Sequence, residues 1–373
     1  MAICQTSFLY PWGTAVLCLE GIIGSNWWIR HRAALKEISS TDFVSAYRST
    51  IMVLTFVAIL AVDFQVFPRR YAKTETQGYG LMDLGAGSFV AAAGLVSPRS
   101  RGKAPPAVVT SLKRMVPLLT LGFIRLLTTK GLEYQEHVSE YGVHWNFFFT
   151  LAAMEPLAAA YPSGWLIPCM LMGLYQFSLS NYKLQEFIET APRKCWEGDP
   201  FSCNFIAANR EGIVGIVGYL VVFLLSEHIG TVCIWTKTGV CRGKWLYGAS
   251  GLLWTLLAVL TQFCNVPVSR RSTNASFCAW TLAHNTLILA SLWTVTETVP
   301  PIFQAMNRHG LLVFVVANLL TGLTNLTINT LEASNFEAIL VVFAYLCVVG
   351  CFSLICDKIL PSKSSSTGQH KEE

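Results

Sequence analysis

Residues 336–356 read FEAILVVFAYLCVVGCFSLIC, a run of 21 residues with one charge, Glu337. A helix rising about 1.5 Å per residue needs roughly 20 apolar residues to cross a hydrocarbon core of about 30 Å. A soluble surface helix keeps a polar face opposite its buried stripe, and this run has none. Residues 212–230, GIVGIVGYLVVFLLSEHIG, repeat the pattern. Working outward by the same length criterion gives about eleven spans. They are Tyr10–Trp28, Thr50–Phe67, Gly80–Ser97, Val116–Thr129, Gly142–Ala160, Ser163–Ser180, Gly212–Gly230, Trp245–Phe263, Ser276–Thr296, Gly310–Thr330 and Phe336–Cys356. The fold class expected is all-α, a polytopic transmembrane helical bundle.

Composition agrees. Of 373 residues, 53% are hydrophobic and 13% charged, against about 25% charged in soluble domains. The mean hydropathy is +0.47. The net charge of +5 is spread over short loops and forms no nucleic-acid patch. Twelve cysteines are scattered without a CxxC pair or a Cys/His array, so no metal is implied. The first residues carry no basic region or small-residue cleavage site, so no removable signal peptide is expected. There is no Gly-rich phosphate loop, HExxH or GxSxG, and no internal repeat is visible.

Orientation follows from Lys and Arg in the short loops. With eleven spans, one side holds about sixteen basic residues and the other about ten. The richer side, which includes the C-terminus, is expected in the cytosol. The loop from Asp63 to Tyr79 then faces the lumen, as does the long loop Asn181–Glu211, where Cys195 and Cys203 are candidates for a disulfide. Cys233 and Cys241 fall on the cytosolic side, where thiols are expected.

Charge at a membrane edge is concentrated between Asp63 and Ser97. Asp63 precedes Pro68, Arg69, Arg70 and Lys73, and Asp83 opens the next apolar run. Asp63 reads in two ways. It is a helix-end carboxylate paired with Arg69 or Arg70, or it is a general base shielded from water. Lys73 is either a loop cation facing lipid phosphates or the partner that orients the base and steadies an oxyanion. Asp83 must face the bundle interior, with Gly85 and Gly87 beside it for close helix crossing. His144 and Asn146, in Tyr141-Gly-Val-His-Trp-Asn, sit at the start of the fifth span. His144 is an acid/base candidate, although its neighbouring aromatics equally suit an interface belt. Asn209 and Arg210 open the seventh span. Arg210 is a phosphate binder by chemistry, and a plain capping arrangement explains it as well. Asn307, Asn318 and Asn325 place amides around and within the tenth span, either bonding between helices or lining a polar pocket.

These residues carry a resemblance. The segments Phe67-Pro-Arg-Arg-Tyr-Ala-Lys-Thr-Glu-Thr76, Leu81-Met-Asp-Leu-Gly85, Glu140 to Thr150, Ala208-Asn-Arg-Glu-Gly212, Met306-Asn-Arg308 and Asn318 to Gly322 resemble, in that order, the GPI-anchor inositol acyltransferases, phosphatidylinositol-glycan class W. The likeness covers roughly residues 45 to 356. That family is expected to have about thirteen spans against about eleven counted here by span length. Met1 to about Ile38 looks unlike its opening. The expected division is residues 1–44, a divergent or shortened N-terminal region with one weak span; residues 45–357, a multi-span acyltransferase domain; and residues 358–373, a disordered cytosolic tail.

The resemblance implies transfer of a fatty acyl group, palmitoyl, from acyl-CoA to the 2-hydroxyl of inositol in glucosaminyl-phosphatidylinositol. Acyl-CoA is a co-substrate, and no cofactor is implied. The expected setting is the endoplasmic reticulum membrane with a lumenal active region. By the same resemblance Asp63 and Lys73 are the catalytic pair. Arg69, Arg70, Asp83, His144, Asn146, Asn209, Arg210, Asn307 and Asn318 are the substrate-binding candidates. Arg99, Arg101 and Lys103 on the cytosolic side either attract the CoA phosphates or are ordinary positive-inside anchors. The cross-class alternative is a lipid or solute transporter relaying protons through Asp63 and Asp83.

Overall fold

A computed structural model describes residues 40–68, 72–129, 140–190, 205–236, 241–296 and 298–360. The expected span Tyr10–Trp28, Arg69, Arg70, Cys195, Cys203 and the tail Ser362–Glu373 lie outside the described residues. Among the described residues every regular element is a helix. In chain order they are α1 (Ser40–Ala61), α2 (Leu81–Leu95), α3 (Val108–Thr129), α4 (Phe147–Ala159), α5 (Leu166–Asn181), α6 (Leu184–Thr190), α7 (Phe205–Ala208), α8 (Arg210–Ile229), α9 (Gly243–Ala258), α10 (Ala275–Val295), α11 (Pro301–Arg308), α12 (Gly310–Thr327) and α13 (Asn335–Ile359).

Six described helices are long and apolar enough to cross a membrane. They are Thr41–Ala61, Arg210–Ile234, Gly243–Phe263, Ala275–Val295, Gly310–Thr327 and Asn335–Ile359. Two of these gain length from π-helical turns, Gly230–Ile234 after α8 and Val259–Phe263 after α9. Shorter apolar helices, α2 and α4, stand where two more spans were expected. The fold is therefore an all-α polytopic membrane fold.

Element ends depart from the hydropathy reading for local reasons. Helix α1 starts ten residues before Thr50, because Phe43, Val44 and Tyr47 are buried within a stretch that looks mixed in sequence. Asp42 in its first turn complements the helix dipole. It ends at Ala61, and turns follow before Pro68, which disfavours helix at the residue preceding it. The fifth expected span loses its opening residues to turns at Tyr141–His144, with Gly142 at φ +118°. Helix α4 starts only where Asn146 caps it, its side chain accepting from the Phe148 N–H. Ser334 and Glu337 close a reciprocal capping box at the start of α13.

The chain forms two compact units. The larger holds Thr74–Tyr79 and Ala86–Thr294; the smaller holds residues 40–73, Gly80–Gly85 and residues 295–360. In the larger unit α4 packs on α3 and α8, and α5 packs on α6 and α8. Tyr175, Leu179 and Ile188 form a buried cluster there, with Val214 and Val217 of α8 against it. Glycines permit the close crossings: a Cβ at Gly94 would lie 2.3 Å from the Phe223 carbonyl oxygen, and one at Gly218 2.1 Å from that of Thr273. Gly87 lies against Thr281, whereas Gly85 faces open space. In the smaller unit α1, α11, α12 and α13 all pack on one another. Phe56 of α1 meets Phe314 of α12 at 6.4 Å between ring centroids.

Candidate active site

The smaller unit holds both members of the expected catalytic pair. Asp63 lies in the turn that ends α1, its N–H donating to the Leu60 carbonyl at 3.2 Å. A carboxylate at a helix C-terminus faces the negative end of the dipole and requires a donor. Asn325, in the last turn of α12, supplies it: its Nδ2 donates to Asp63 Oδ2 at 2.8 Å. Asp63 is half-buried and Lys73 is exposed.

Asp83 is buried, 1% exposed, in the first turn of α2. Gly80 sits directly against it. A Cβ there would lie 2.4 Å from Asp83 Oδ2 and 2.5 Å from the carbonyl oxygen of Ala72, the residue before Lys73. Gly80 is thus the point at which the Asp83 carboxylate and the backbone leading into Lys73 converge. The residues after Lys73, Thr74–Tyr79, belong to the larger unit. They are held there by the Gly78 N–H on the Val268 carbonyl at 2.8 Å and by Ser269 Oγ donating to the Thr76 carbonyl at 3.0 Å. Tyr79 stands edge-on to Trp280 at 5.3 Å, and burial raises its hydroxyl pKa, so it stays protonated.

The other amides of this unit are placed differently. Asn307 Nδ2 donates to Ser45 Oγ at 3.2 Å, near the start of α1. Helix α12 runs from Gly310 beside Asn307 to Asn325 beside Asp63, a rise of roughly 22 Å. Asn307 and Asp63 therefore occupy opposite ends of the same helices. Asn318 is exposed, and its Nδ2 donates to the Phe314 carbonyl of its own helix. At the Asn307 end, Arg308 Nη1 reaches both oxygens of Asp357, at 2.8 and 2.9 Å.

In the larger unit the segment Tyr141–Asn146 lies along the start of α8. The His144 N–H donates to Asn209 Oδ1 at 2.7 Å, and Asn209 Nδ2 donates to the Phe205 carbonyl at 2.8 Å. The Val143 N–H donates to the Ala208 carbonyl and the Gly212 N–H to that of Tyr141. Asn146 Nδ2 donates to the Gly122 carbonyl at 2.9 Å. The two amides thus hold backbone. The His144 side chain is half-buried. Arg210 is 3% exposed; its Nε donates to the Ile188 carbonyl at 3.0 Å and lies 3.7 Å from Glu211 Oε1. Glu211 also binds Arg271 at 3.1 Å, and Arg270 binds Glu140 at 3.3 Å over the Tyr141 ring.

Sequence reasoning gave no role to Arg271, Arg270, Glu140 or Glu227. Glu227, inside α8, accepts from Ser97 Oγ at 2.7 Å and pairs with Arg99 at 2.9 Å. Arg99 is therefore committed to an internal carboxylate. Arg101 lies over the Trp235 ring at 5.0 Å, and Lys103 is exposed. Cys233 and Cys241 are free thiols. Among the described residues no group of three metal-ligating side chains is present.

Long apolar helices, with charged groups buried among them, define a multi-span membrane protein. Sequence comparison gives the family. The GWT1 family pattern matches residues 24–356, and the chain belongs to that family. It is 38% identical over 365 residues to the GPI-anchored wall transfer protein 1 of Yarrowia lipolytica, covering 87% of this chain and 74% of that one. With the protein of the same name from Aspergillus fumigatus the identity is 37% over 373 residues, 86% and 73% of the two chains. An uncharacterized protein of Arabidopsis thaliana is 38% identical over 346 residues, 89% and 78%.

Proposed function

We propose that this protein is an O-acyltransferase of GPI-anchor biosynthesis. It moves a palmitoyl group from acyl-CoA to the inositol 2-hydroxyl of glucosaminyl-phosphatidylinositol. The name of the two fungal relatives, GPI-anchored wall transfer protein 1, ties them to GPI anchors, and the family resemblance of the Asp63–Lys73 segment points to the acyl step. The observation that carries the chemistry is Asp63, a carboxylate at a helix end with one oxygen fixed by Asn325.

The chemistry needs little else. The Asp63 carboxylate takes the proton of the inositol hydroxyl. The oxygen attacks the thioester carbonyl carbon, a C–O bond forms and the C–S bond breaks. The proton passes to the departing CoA thiolate. The Lys73 ammonium steadies the oxyanion of the tetrahedral intermediate. A thioester is already activated, so no acyl-enzyme is required. Arg69, Arg70, Asp83, His144, Asn146, Asn209, Arg210, Asn307 and Asn318 remain candidates for substrate contact, with Arg69 and Arg70 lying between the pair in sequence. We place the protein in the endoplasmic reticulum membrane, with Asp63 toward the lumen and the C-terminus in the cytosol.

The test is turnover by the purified full-length protein in lipid nanodiscs, with palmitoyl-CoA and a glucosaminyl-phosphatidylinositol acceptor. Acceptor-dependent release of free CoA with an ester on inositol is expected. CoA release without acceptor, or no release at all, overturns the assignment.

A further inference from the structure

We propose that Asn325 is a positioning residue for the Asp63 carboxylate. The inference rests on the acyltransferase reading above. Asn325 comes from the far end of the sequence, 262 positions from Asp63. Helix α12 delivers it by packing on α1, with Phe314 on Phe56 and Gly310 at Met52. The turn that carries Asp63 is attached to this part of the chain twice. Asn325 holds the carboxylate, and Gln65 Nε2 donates to the Leu331 carbonyl at 2.6 Å. Only the first of these touches the reacting group.

Among the described residues the bond is to one oxygen alone: Oδ1 accepts no hydrogen bond, while Oδ2 is held at 2.8 Å. A carboxylate gripped on one oxygen cannot spin about its Cβ–Cγ bond, so the other is presented in a fixed direction for an incoming hydroxyl proton. Asn325 is exposed and Asp63 half-buried, so the pair is not sealed inside the packed helices.

The experiment compares five proteins in nanodiscs: the parent, Asn325→Leu, Asn325→Gln, Gln65→Ala and Asp63→Asn. Each is assayed with palmitoyl-CoA and glucosaminyl-phosphatidylinositol. A hydrogen bond to a charged group implies a fall in kcat of about tenfold to a hundredfold for Asn325→Leu, with KM for palmitoyl-CoA unchanged. Asn325→Gln, which retains the amide donor, recovers part of that loss. Gln65→Ala stays within about twofold of the parent, because it loosens the turn without releasing the carboxylate. An equal fall in Gln65→Ala means that Asn325 merely staples the turn, and the proposal fails. Parental kcat in Asn325→Leu beside an inactive Asp63→Asn also sinks it, while leaving Asp63 as the base. Full activity in Asp63→Asn removes the acyltransfer mechanism itself.

Discussion

Replacing Gly80 by alanine introduces a single methyl group where the structure has no room. The added Cβ would lie 2.4 Å from Asp83 Oδ2 and 2.5 Å from the Ala72 carbonyl oxygen, where ordinary contact begins at 3.4 Å. One or both neighbours must therefore move by roughly 0.9 Å, at a cost typical of overpacking, about 1–3 kcal/mol. Asp83 is buried with little freedom to swing, and Ala72 is backbone adjoining Lys73. The displacement thus passes into the segment that presents the ammonium. A misplacement near 1 Å reduces catalysis by about a hundredfold. Acyl transfer from palmitoyl-CoA by Gly80→Ala is expected to fall by about that factor, with a modest drop in Tm. Gly85→Ala is the matched control. It lies five residues on, in helix α2, with nothing within 4 Å of the added Cβ. It should keep full activity and be as stable as the parent or slightly more so. If Gly80→Ala matches Gly85→Ala in rate and Tm, the close packing of Gly80 against Asp83 and Ala72 is refuted.

Two further outcomes follow from buried groups elsewhere. Glu227→Gln leaves Arg99 buried without its counter-ion, so thermal unfolding in detergent should show a loss of about 3 kcal/mol. The double change Arg99→Met, Glu227→Leu should recover most of it, because removing both charges also removes their desolvation cost. Burial pushes the Cys241 thiol up to about 12, with its neighbour Cys233 adding to the effect. Below that pH the thiol keeps its proton, so maleimide at pH 8 should label exposed Cys264 well before Cys241. Equal labelling rates would contradict the burial.

The spans were legible where one physical signal decides them. The apolar runs at 212–230 and 336–356 exceed any soluble requirement, and α8 and α13 stand there. Hydropathy missed the first turns of α1, because Phe43 and Tyr47 are interleaved with polar residues and only tertiary packing buries them. It also ran through Tyr141–His144, whose turns lie along the start of α8. Residue type and family likeness were enough to name candidate site residues, but not to say what each one pairs with. Arg99 with Glu227, and Asp63 with Asn325, are separated by 128 and 262 positions, and no local periodicity records such contacts. Asn307 and Asn318 looked equivalent in sequence. One reaches α1 at the end remote from Asp63, and the other bonds within its own helix.

The most direct test of Asp63 as the base is single-turnover transfer by purified Asp63→Asn protein, a change that keeps shape and removes the proton acceptor. The expected result is palmitoyl-CoA binding and a Tm equal to the parent's, with no inositol-acylated product. Product formed at the parental rate would contradict it.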